Sequence, residues 1–464
     1  KFLAGKSLTN TTKPKGKMKI LKHRFRLIML LTLTFTLFFC KISSSEGPWN
    51  PVADPFSNGG SVRNMIVIIS DLHLGANLDY AEFNRNSNTL VTLLQRIRSA
   101  PNVKDLVIAG DMLDEWFVPA TVNTYNGSDQ HGFVQRIADA NKEVIGAFMK
   151  IIREGKITVT YVPGNHDLCI TAENVASILP GIIQVRDHMQ GLGTYSPAGN
   201  PQIVIEHGHR YNFFCAPDPL SNQEIAPGTI LPPGYFFTRI AALHVVQKTT
   251  TPGDTVAVVT PNAAAGASQN LLYAYWNIWK WAVEYLPINE KFGEKIIVTS
   301  LNGFKGAYSV NDLLPFQSIP GGSIDVKLYK GIQDTWEQRQ TLNGVAVKIP
   351  VGPAIITAAS DTALDGQAQV QYFSNPNSTK RIVVFGHTHN ARMVASLNTA
   401  GQKTIYANSG TWIDNNSGFL DNTCNFVVIT PPDAGTSPET FVKLYNFKNS
   451  VVTEMARDSI RITE

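Results

Sequence analysis

Short apolar runs alternate with amphipathic stretches from residue 64 onward, and this alternation is typical of α/β proteins. The apolar runs predict buried strands at residues 65–69, 106–109, 157–162, 203–205, 382–385, 404–407, 426–429 and 441–445. Leucine and isoleucine recur at helical spacing in residues 89–97, and residues 133–153 also predict a helix. We therefore expect the fold class to be α/β.

Residues 216–374 interrupt this alternation, because the segment is longer than a connection between two strands needs. We interpret it as a long inserted helical cap, placed between two parts of one core at residues 62–215 and 375–450. Within the cap, residues 271–286 predict a helix with one aromatic stripe. The stripe either packs against the core, which is the simpler interpretation, or roofs an apolar substrate pocket.

The composition indicates an ordinary folded protein, with 43% hydrophobic and 16% charged residues among 464. The net charge of +4 comes from nine Lys and Arg residues in positions 1–26. Without these nine, 31 basic residues face 36 Asp and Glu, which is a net charge of −5. No nucleic-acid partner is expected, because a mildly acidic body does not attract phosphate backbones.

Residues 1–45 are predicted to be a leader and signal peptide, since a basic start is followed by the short apolar stretch 27–40. That stretch is too short for a comfortable transmembrane helix. Either Cys40 is lipidated, as in a bacterial lipoprotein attached to a membrane, or cleavage falls within residues 43–45. An exported protein is expected, periplasmic, secreted or on the cell surface. Cys169 and Cys215 each follow a histidine motif, and both a disulfide and two free thiols remain open for this pair.

Two histidines, His387 and His389, directly follow the predicted strand at residues 382–385. In an extended segment residues i and i+2 point the same way, and neutral imidazole is a common metal ligand. Four other predicted strands also end in Asp, Asn or His. Their ends carry Asp71 and His73, then Asp111, then Asn165, His166 and Asp167, and finally His207 and His209. Ligands gather at the carboxyl ends of strands in open α/β sheets, so we expect these side chains to meet.

The donor set is rich in oxygen and nitrogen and contains no cysteine. Such a set suits two divalent ions, with Mn, Zn, Fe, Co, Ni and Mg all compatible. One bridging carboxylate would hold the two ions about 3.5–4 Å apart, as in two-metal hydrolases.

The five blocks resemble those of the calcineurin-like metallophosphoesterase superfamily: Asp71-x-His73, Gly110-Asp111, residues 164–167, residues 207–209 and residues 386–389. The resemblance implies a metallophosphoesterase-type β-sandwich flanked by helices. It also implies that one metal is held by Asp71, His73 and His389. The second metal would be held by Asn165, His207 and His387, with Asp111 bridging.

The resemblance also implies a catalytic pair that binds no metal. His166 would contact the scissile phosphate and assist the leaving group, and Asp167 would orient His166. His209 either faces the substrate or makes a hydrogen bond behind the ligands. Arg210 binds either a phosphate oxygen or Asp218.

Residues 71–75 and 111–116 are similar to UDP-2,3-diacylglucosamine hydrolases, which cleave a pyrophosphate under a helical lid. Asp114 stands where purple acid phosphatases place a tyrosine ligand, which argues against an Fe(III)–tyrosinate site. The length of the insertion and the signal for export depart from the hydrolases, so only the chemistry and the lid are carried over.

The function expected is that of an exported dinuclear metal-dependent phosphoesterase. It would hydrolyse a phosphodiester or pyrophosphate with an apolar or nucleotide portion, through a metal-bridging hydroxide. A phosphomonoesterase is the alternative within this class. A non-catalytic, metal-braced surface binding protein is the alternative outside it, although a merely structural site has no use for His166.

Overall fold

The computed structural model describes residues 50–52, 54–416, 422–433 and 437–462. The predicted leader, signal peptide and lipidation site at Cys40 lie outside the described residues. Within the described part of the chain, the search for a helix both long and apolar enough to span a bilayer finds none.

Strands and helices alternate through the first half of the described chain, as the hydrophobic pattern predicts. The strands are β1 (Asn50–Val52), β2 (Met65–Ile69), β3 (Val103–Ala109), β4 (Thr158–Val162), β5 (Ile183–Gln184), β6 (Ile203–Ile205), β7 (Ile297–Thr299), β8 (Gly306–Tyr308), β9 (Phe316–Gln317), β10 (Ile324–Asp325), β11 (Ile382–Phe385), β12 (Arg392–Leu397), β13 (Lys403–Asn408), β14 (Asn425–Thr430), β15 (Thr440–Lys448) and β16 (Val451–Ile460). The α-helices are α1 (Ser87–Ser99), α2 (Gln130–Ala140), α3 (Lys142–Glu154), α4 (Ala172–Ile178), α5 (Pro233–Gln247), α6 (Ala267–Tyr285), α7 (Val310–Leu313), α8 (Trp336–Leu342), α9 (Val351–Ile356) and α10 (Asp361–Asp365).

Two mixed sheets form the frame of the molecule. The first has eight strands in the order β1-β16-β15-β14-β2-β3-β4-β5, with β2 to β5 parallel. The second has four strands in the order β12-β13-β11-β6, with β6, β11 and β13 parallel. The parallel strands of each sheet therefore end at one edge, which is where the polar blocks follow them.

Side chains alternate between the two faces of the first sheet, as a strand's period of two requires. Ile66 and Ile68 of β2 belong to an apolar cluster with Ile205 and Val384 of the second sheet, so the two sheets pack face to face. The alternate residues of β2 pack in a second cluster with α1, α2 and α3. This is the α/β sandwich with flanking helices that the sequence predicts.

The segment between β6 and β11 has an apolar core of its own. That core also contains Trp116 and Leu168, which lie on loops following β3 and β4. The aromatic stripe of α6 is buried here, with Tyr275, Trp279 and Val283 each at most 2% exposed. The stripe is therefore packed inside the protein, which agrees with the simpler interpretation. It offers little surface to a substrate. The core and cap boundaries at residues 216 and 374 stay a prediction.

The helix predicted at residues 133–153 is wrong in one respect, because the structure has two helices there. Asn141 lies between them with φ −117° and ψ 32°. Its side-chain amide donates to the carbonyl of Ile137, 2.9 Å away, and to that of Gly75, also 2.9 Å away. An asparagine that bonds to nearby backbone carbonyls competes with helix continuation. The break ties these helices to the loop that follows the first polar block.

Three described cysteines, Cys169, Cys215 and Cys424, are free thiols. Of the two alternatives left open for Cys169 and Cys215, the structure shows the thiols. Burial raises the pKa of the Cys215 thiol to about 12, so this thiol is neutral at physiological pH.

Candidate metal centre

The polar blocks at the strand ends are joined by backbone hydrogen bonds. The amide of Asp71 donates to the carbonyl of Gly110 at 3.0 Å, and the amide of His73 donates to that of Asp111 at 2.9 Å. The parallel pairing of β2 with β3 thus continues past the strands. As a result, the side chains of the first two blocks emerge side by side at one edge of the sheet.

Five of the seven predicted metal ligands have left-handed backbone conformations. The φ values lie between 49° and 70° for Asp71, His73, Asp111, His387 and His389. Such a φ is uncommon for residues other than glycine and costs about 1–3 kcal/mol at each position. The fold carries this cost at the residues whose side chains converge, which is typical of a functional site.

Four of the predicted ligands form one compact group. Asp71, His73, Asp111 and His389 each offer an oxygen or nitrogen atom, and these atoms all lie within 4.8 Å of one another. Nε2 of His73 and Nε2 of His389 are 3.1 Å apart, and Nε2 of His389 is 3.2 Å from Oδ1 of Asp71. Two carboxylates and two imidazoles at this spacing suit a divalent cation.

The other predicted ligands also gather next to Asp111. Nε2 of His207 lies 3.1 Å from Oδ2 of Asp111 and 3.2 Å from Oδ1 of Asn165. The ring of His387 is 5.2 Å from that of His207, but its Nε2 lies 3.1 Å from Nδ2 of Asn212. Asp111 therefore stands between two clusters of donors, as a bridging ligand must.

The histidine tautomers fit a cation at these positions. Nδ1 of His207 donates to the carbonyl of Ala109 at 2.9 Å, and Nδ1 of His73 donates to Oδ2 of Asp114 at 2.9 Å. In both rings this leaves the lone pair on Nε2, which is the atom that faces the other donors. A metal-binding histidine is usually oriented in this way through its second nitrogen.

The carboxylates also hold the backbone of distant blocks. Oδ1 of Asp111 accepts from the amide of His166 at 2.8 Å, and Oδ1 of Asp71 accepts from that of His387 at 3.1 Å. Glycine is required where these blocks touch, because a Cβ at Gly164 would lie 2.1 Å from Oδ1 of Asp111. The five blocks therefore form one interlocked unit.

Charges within the site favour a bound cation. Burial lowers the pKa of both His73 and His207, but neighbouring carboxylates outweigh it. Asp114 raises the pKa of His73 to about 10, and Asp111 raises that of His207 to about 9. Burial and the neighbouring His207 lower the pKa of His387 to about 3, so its ring is neutral and able to bind a metal. Without an ion, these carboxylates keep a second proton on each imidazole, and a bound metal ion would replace that proton on Nε2.

The orienting partner of His166 is Asp114. Nδ1 of His166 donates to Oδ1 of Asp114 at 2.9 Å, and burial notwithstanding, this carboxylate raises the pKa of His166. The role predicted for Asp167 is therefore wrong. Asp167 instead accepts from the amides of Met112 at 2.8 Å and of Gly164 at 2.7 Å, so it braces the turns that carry the ligands.

A further group of four possible donors comprises His73, Glu82, Asp114 and His166. Asp114 binds Nδ1 of both histidines in this group, so these contacts orient the rings. Sequence reasoning noted Asp114 only at the position of the purple acid phosphatase tyrosine and missed its role in orienting both histidines.

Arg210 and His209, the two residues predicted to contact the substrate, differ in their hydrogen bonding. Arg210 is buried and paired within the protein, with Nε 2.7 Å from Oε2 of Glu206 and a terminal nitrogen 2.6 Å from Oδ2 of Asp187. Asp218 is therefore not its partner, because Asp218 pairs with Arg339, and a phosphate contact by Arg210 stays a prediction. His209 is 2% exposed, and neither ring nitrogen has a hydrogen-bond partner. Its ring lies 5.3 Å from that of His207 without the hydrogen bond that one alternative expects, and a substrate contact by His209 stays a prediction.

The fold and the donor set together define an α/β protein with a site for divalent metal ions. The family model for the calcineurin-like phosphoesterase matches residues 65–228, which contain four of the five polar blocks. This part of the chain is similar to calcineurin-like phosphoesterases, and that similarity supports a metal-dependent phosphoric ester hydrolase. The family typically binds two metal ions, and its substrates are phosphoesters.

Among solved structures, the chain is similar to the crystal structure of Pseudomonas putida nuclease MPE. The two share 16% sequence identity over 31% of this chain and 53% of that one, with a TM-score of 0.19. The match thus spans about half the length of the solved chain. No curated protein matches this chain.

Proposed function

We propose that this protein is a dinuclear phosphodiesterase in which His166 assists the departure of the leaving oxygen. The observation that carries the proposal is the Asp114–His166 pair. His166 is not one of the predicted metal ligands, it is adjacent to them, and its side chain is 12% exposed where Asp71 and Asp111 are almost fully buried. A structural metal site has no need of an oriented, partly exposed histidine beside it.

The residues would divide the work as follows. Asp71, His73 and His389 would hold one ion, Asn165, His207 and His387 would hold the other, and Asp111 would be shared by both. When bound, such ions lower the pKa of a water molecule and offset negative charge on the phosphate oxygens. Asp114 keeps His166 protonated at Nδ1 and aimed, so that Nε2 faces the substrate and supplies a proton to the leaving oxygen.

Carboxylates at the rim of the site favour a diester over a monoester. Oε2 of Glu82 lies 3.5 Å from Nδ1 of His73, and Asp361 begins α10, the helix whose last residue, Asp365, contacts Thr388 beside His389. A phosphodiester carries one negative charge at neutral pH and a monoester up to two, so these carboxylates repel a monoester more strongly. A pyrophosphate diester, as in the substrates of UDP-2,3-diacylglucosamine hydrolases, spreads its charges over two phosphates and stays within the proposal. We also propose that the substrate carries an apolar or nucleotide portion. The aromatic stripe of α6 is packed inside the protein, so it does not supply the surface that binds this portion.

The test is hydrolysis by the purified protein after metal removal and reconstitution with Mn²⁺, Zn²⁺ or Mg²⁺ in turn. We expect metal-dependent turnover of bis-p-nitrophenyl phosphate at a higher kcat/KM than that of p-nitrophenyl phosphate. Asp111→Asn should reduce both the bound metal and the turnover. A preference for the monoester would support the phosphomonoesterase instead, and metal binding without hydrolysis of any phosphoester would support the non-catalytic binding protein.

We also propose that the protein is exported. The basic segment 1–26 followed by the apolar stretch 27–40 supports export. The mildly acidic remainder of the chain bears on export in neither direction. The mass of the mature protein recovered from cells tests the idea, because lipidation adds acyl mass at Cys40 and simple cleavage within residues 43–45 does not. A mature protein that retains residues 1–45 would refute it.

A further inference from the structure

A short segment of the region between β6 and β11 lies against the last ligand block. Asn212 donates to the carbonyl of Ala358 at 3.2 Å and lies 3.1 Å from Nε2 of His387. Seven residues after Ala358, the side chain of Asp365 reaches Thr388, the residue between the two histidines of the block. The region predicted to be a cap thus touches the metal centre itself.

The side chain of Asp365 is buried, with 1% of its surface exposed, and it binds several side chains of the protein. Its Oδ1 accepts from the hydroxyl of Thr388 at 3.0 Å and from that of Tyr406 at 2.7 Å. Its Oδ2 forms an ion pair with Nε of Arg392 at 2.7 Å. Four elements are therefore joined at one carboxylate, namely α10, the loop before β12, and strands β12 and β13.

Asn408 binds both Asp365 and the loop that carries Thr388. Its amide donates to Oδ1 of Asp365 at 3.2 Å, to the carbonyl of Gly386 at 2.7 Å and to the hydroxyl of Thr388 at 3.0 Å. The hydroxyl of Thr388 thus both donates and accepts, which determines its direction. A loop held at both its start and its middle has little freedom left.

This restraint matters because the flanking histidines are strained. His387 has φ 70° and His389 has φ 58°, and such conformations persist only when the surroundings enforce them. Thr388 is the residue through which Asp365 acts on both. Without the carboxylate, the loop would relax and the two imidazoles would leave the positions that face Asp71 and His207.

We propose that Asp365 is a positioning residue for both metal ions, so that the region between β6 and β11 completes the metal centre as well as covering it. The inference rests on the proposed function only in assuming that divalent ions occupy this site. Asp365 binds no ion itself. It acts by holding Thr388, and through Thr388 it sets the direction of His387 and His389.

The test measures metal binding separately from hydrolysis. Metal-free full-length protein is titrated with Co²⁺ by calorimetry, and its visible spectrum reports the ligand geometry. Asp365→Asn should weaken Co²⁺ binding by roughly 10–100-fold and alter the spectrum, as is usual when a residue orienting a ligand is lost. Thr388→Val, which keeps the shape but removes the hydroxyl, should weaken binding by roughly threefold to tenfold. If Asp365→Asn does not fold, the Co²⁺ affinity of Thr388→Val tests the proposal in its place.

Asp312→Asn is the matched control. Asp312 is also a buried carboxylate of the same region, where it accepts from the amide of Ser309 at 2.9 Å and pairs with Lys327 at 3.0 Å, and the structure records no contact from it to the ligand blocks. We expect this variant to lose thermal stability while keeping wild-type affinity for Co²⁺. If Asp365→Asn or a folded Thr388→Val also keeps the wild-type affinity and spectrum, the proposal is wrong. If wild-type protein binds Co²⁺ but hydrolyses no phosphoester, the proposed function fails while the role of Asp365 is still decided.

Discussion

Nδ1 of His166 donates a 2.9 Å hydrogen bond to Oδ1 of Asp114. The second oxygen of the same carboxylate accepts from His73, which belongs to the compact donor group, at 2.9 Å. One buried side chain therefore sets the direction of a metal ligand and of the proposed acid together. The rings of His73 and His166 lie 4.4 Å apart, nearly perpendicular, so neither can turn without disturbing the other.

Replacement of His166 should separate catalysis from metal binding. We expect His166→Gln to lower kcat on bis-p-nitrophenyl phosphate by roughly 10²–10⁴-fold, the usual contribution of general acid catalysis. The variant should still bind two ions, because His166 is not a predicted ligand, and elemental analysis measures this. His131→Gln is the control, since His131 is exposed on α2 and forms a hydrogen bond with Asn174. Wild-type turnover by His166→Gln would exclude the proposed role.

Replacement of Asp114 should affect both histidines. An asparagine offers one oxygen where the carboxylate offers two, and its amide hydrogens repel a ring N–H. We expect Asp114→Asn to lower kcat by roughly 10²-fold or more and to weaken metal binding by roughly 10-fold. Steady-state kinetics at several metal concentrations measures both effects. Excess metal should restore occupancy but not kcat, and a full recovery of kcat would contradict the link to His166.

Replacement of Asp167 should act on stability instead. Its carboxylate accepts from the backbone amides of Met112 and Gly164, so Asp167→Asn weakens turns rather than the acid. We expect the free energy of unfolding to fall by about 1.5–3 kcal/mol, the range for hydrogen bonds to a charged group. Denaturant titration measures this, and the pH profile of the remaining activity should match that of the wild type. A shifted profile would mean that Asp167 acts on His166 after all.

Glu115 should make the protein less stable as the pH rises. Its side chain is buried, and Oε2 has no hydrogen-bond partner, so burial raises the pKa of the carboxyl to about 7 from an ordinary 4.5. The folded state then holds a proton that the unfolded state releases, and stability falls between pH 4.5 and pH 7 by up to about 3 kcal/mol.

The variant Glu115→Gln tests this pH dependence. Glutamine keeps an oxygen for Tyr125 and removes the titrating group. We expect the variant to match the wild type near pH 4.5 and to exceed its stability above pH 7. Thermal unfolding measured across this pH range is the readout, and parallel curves for the two proteins would refute the assignment.

Most of the metal centre could be predicted from the sequence because its signal is local. Each block directly follows an apolar run, and parallel strands bring such blocks to one edge. The structure brings Asp71, His73, Asp111 and His389 together, as this reasoning requires. The roles of Asp114 and Asp167 could not be separated in this way, because both stand one or more residues beyond a ligand and their partners depend on the direction of each turn.

Other features left no local signal. Asp365 lies in the long region between β6 and β11, more than 20 residues before the histidines that it supports, and no periodicity marks it. The helix break at Asn141 depends on a bond to Gly75, which is distant in sequence. Strand β16 escaped prediction because its residues Val451–Ile460 mix charged and apolar side chains, as an antiparallel strand with one open face does.

The hydrogen bond between the amide of His387 and Asp71 spans 316 positions of the chain. During synthesis on the ribosome, the first sheet's ligands emerge long before the histidines that complete the cluster. The nascent protein must therefore wait for residues beyond 389 before a cation can be fully enclosed. Capture of the ion is then a late event of maturation, and it reports that two segments more than 300 residues apart in the chain have met.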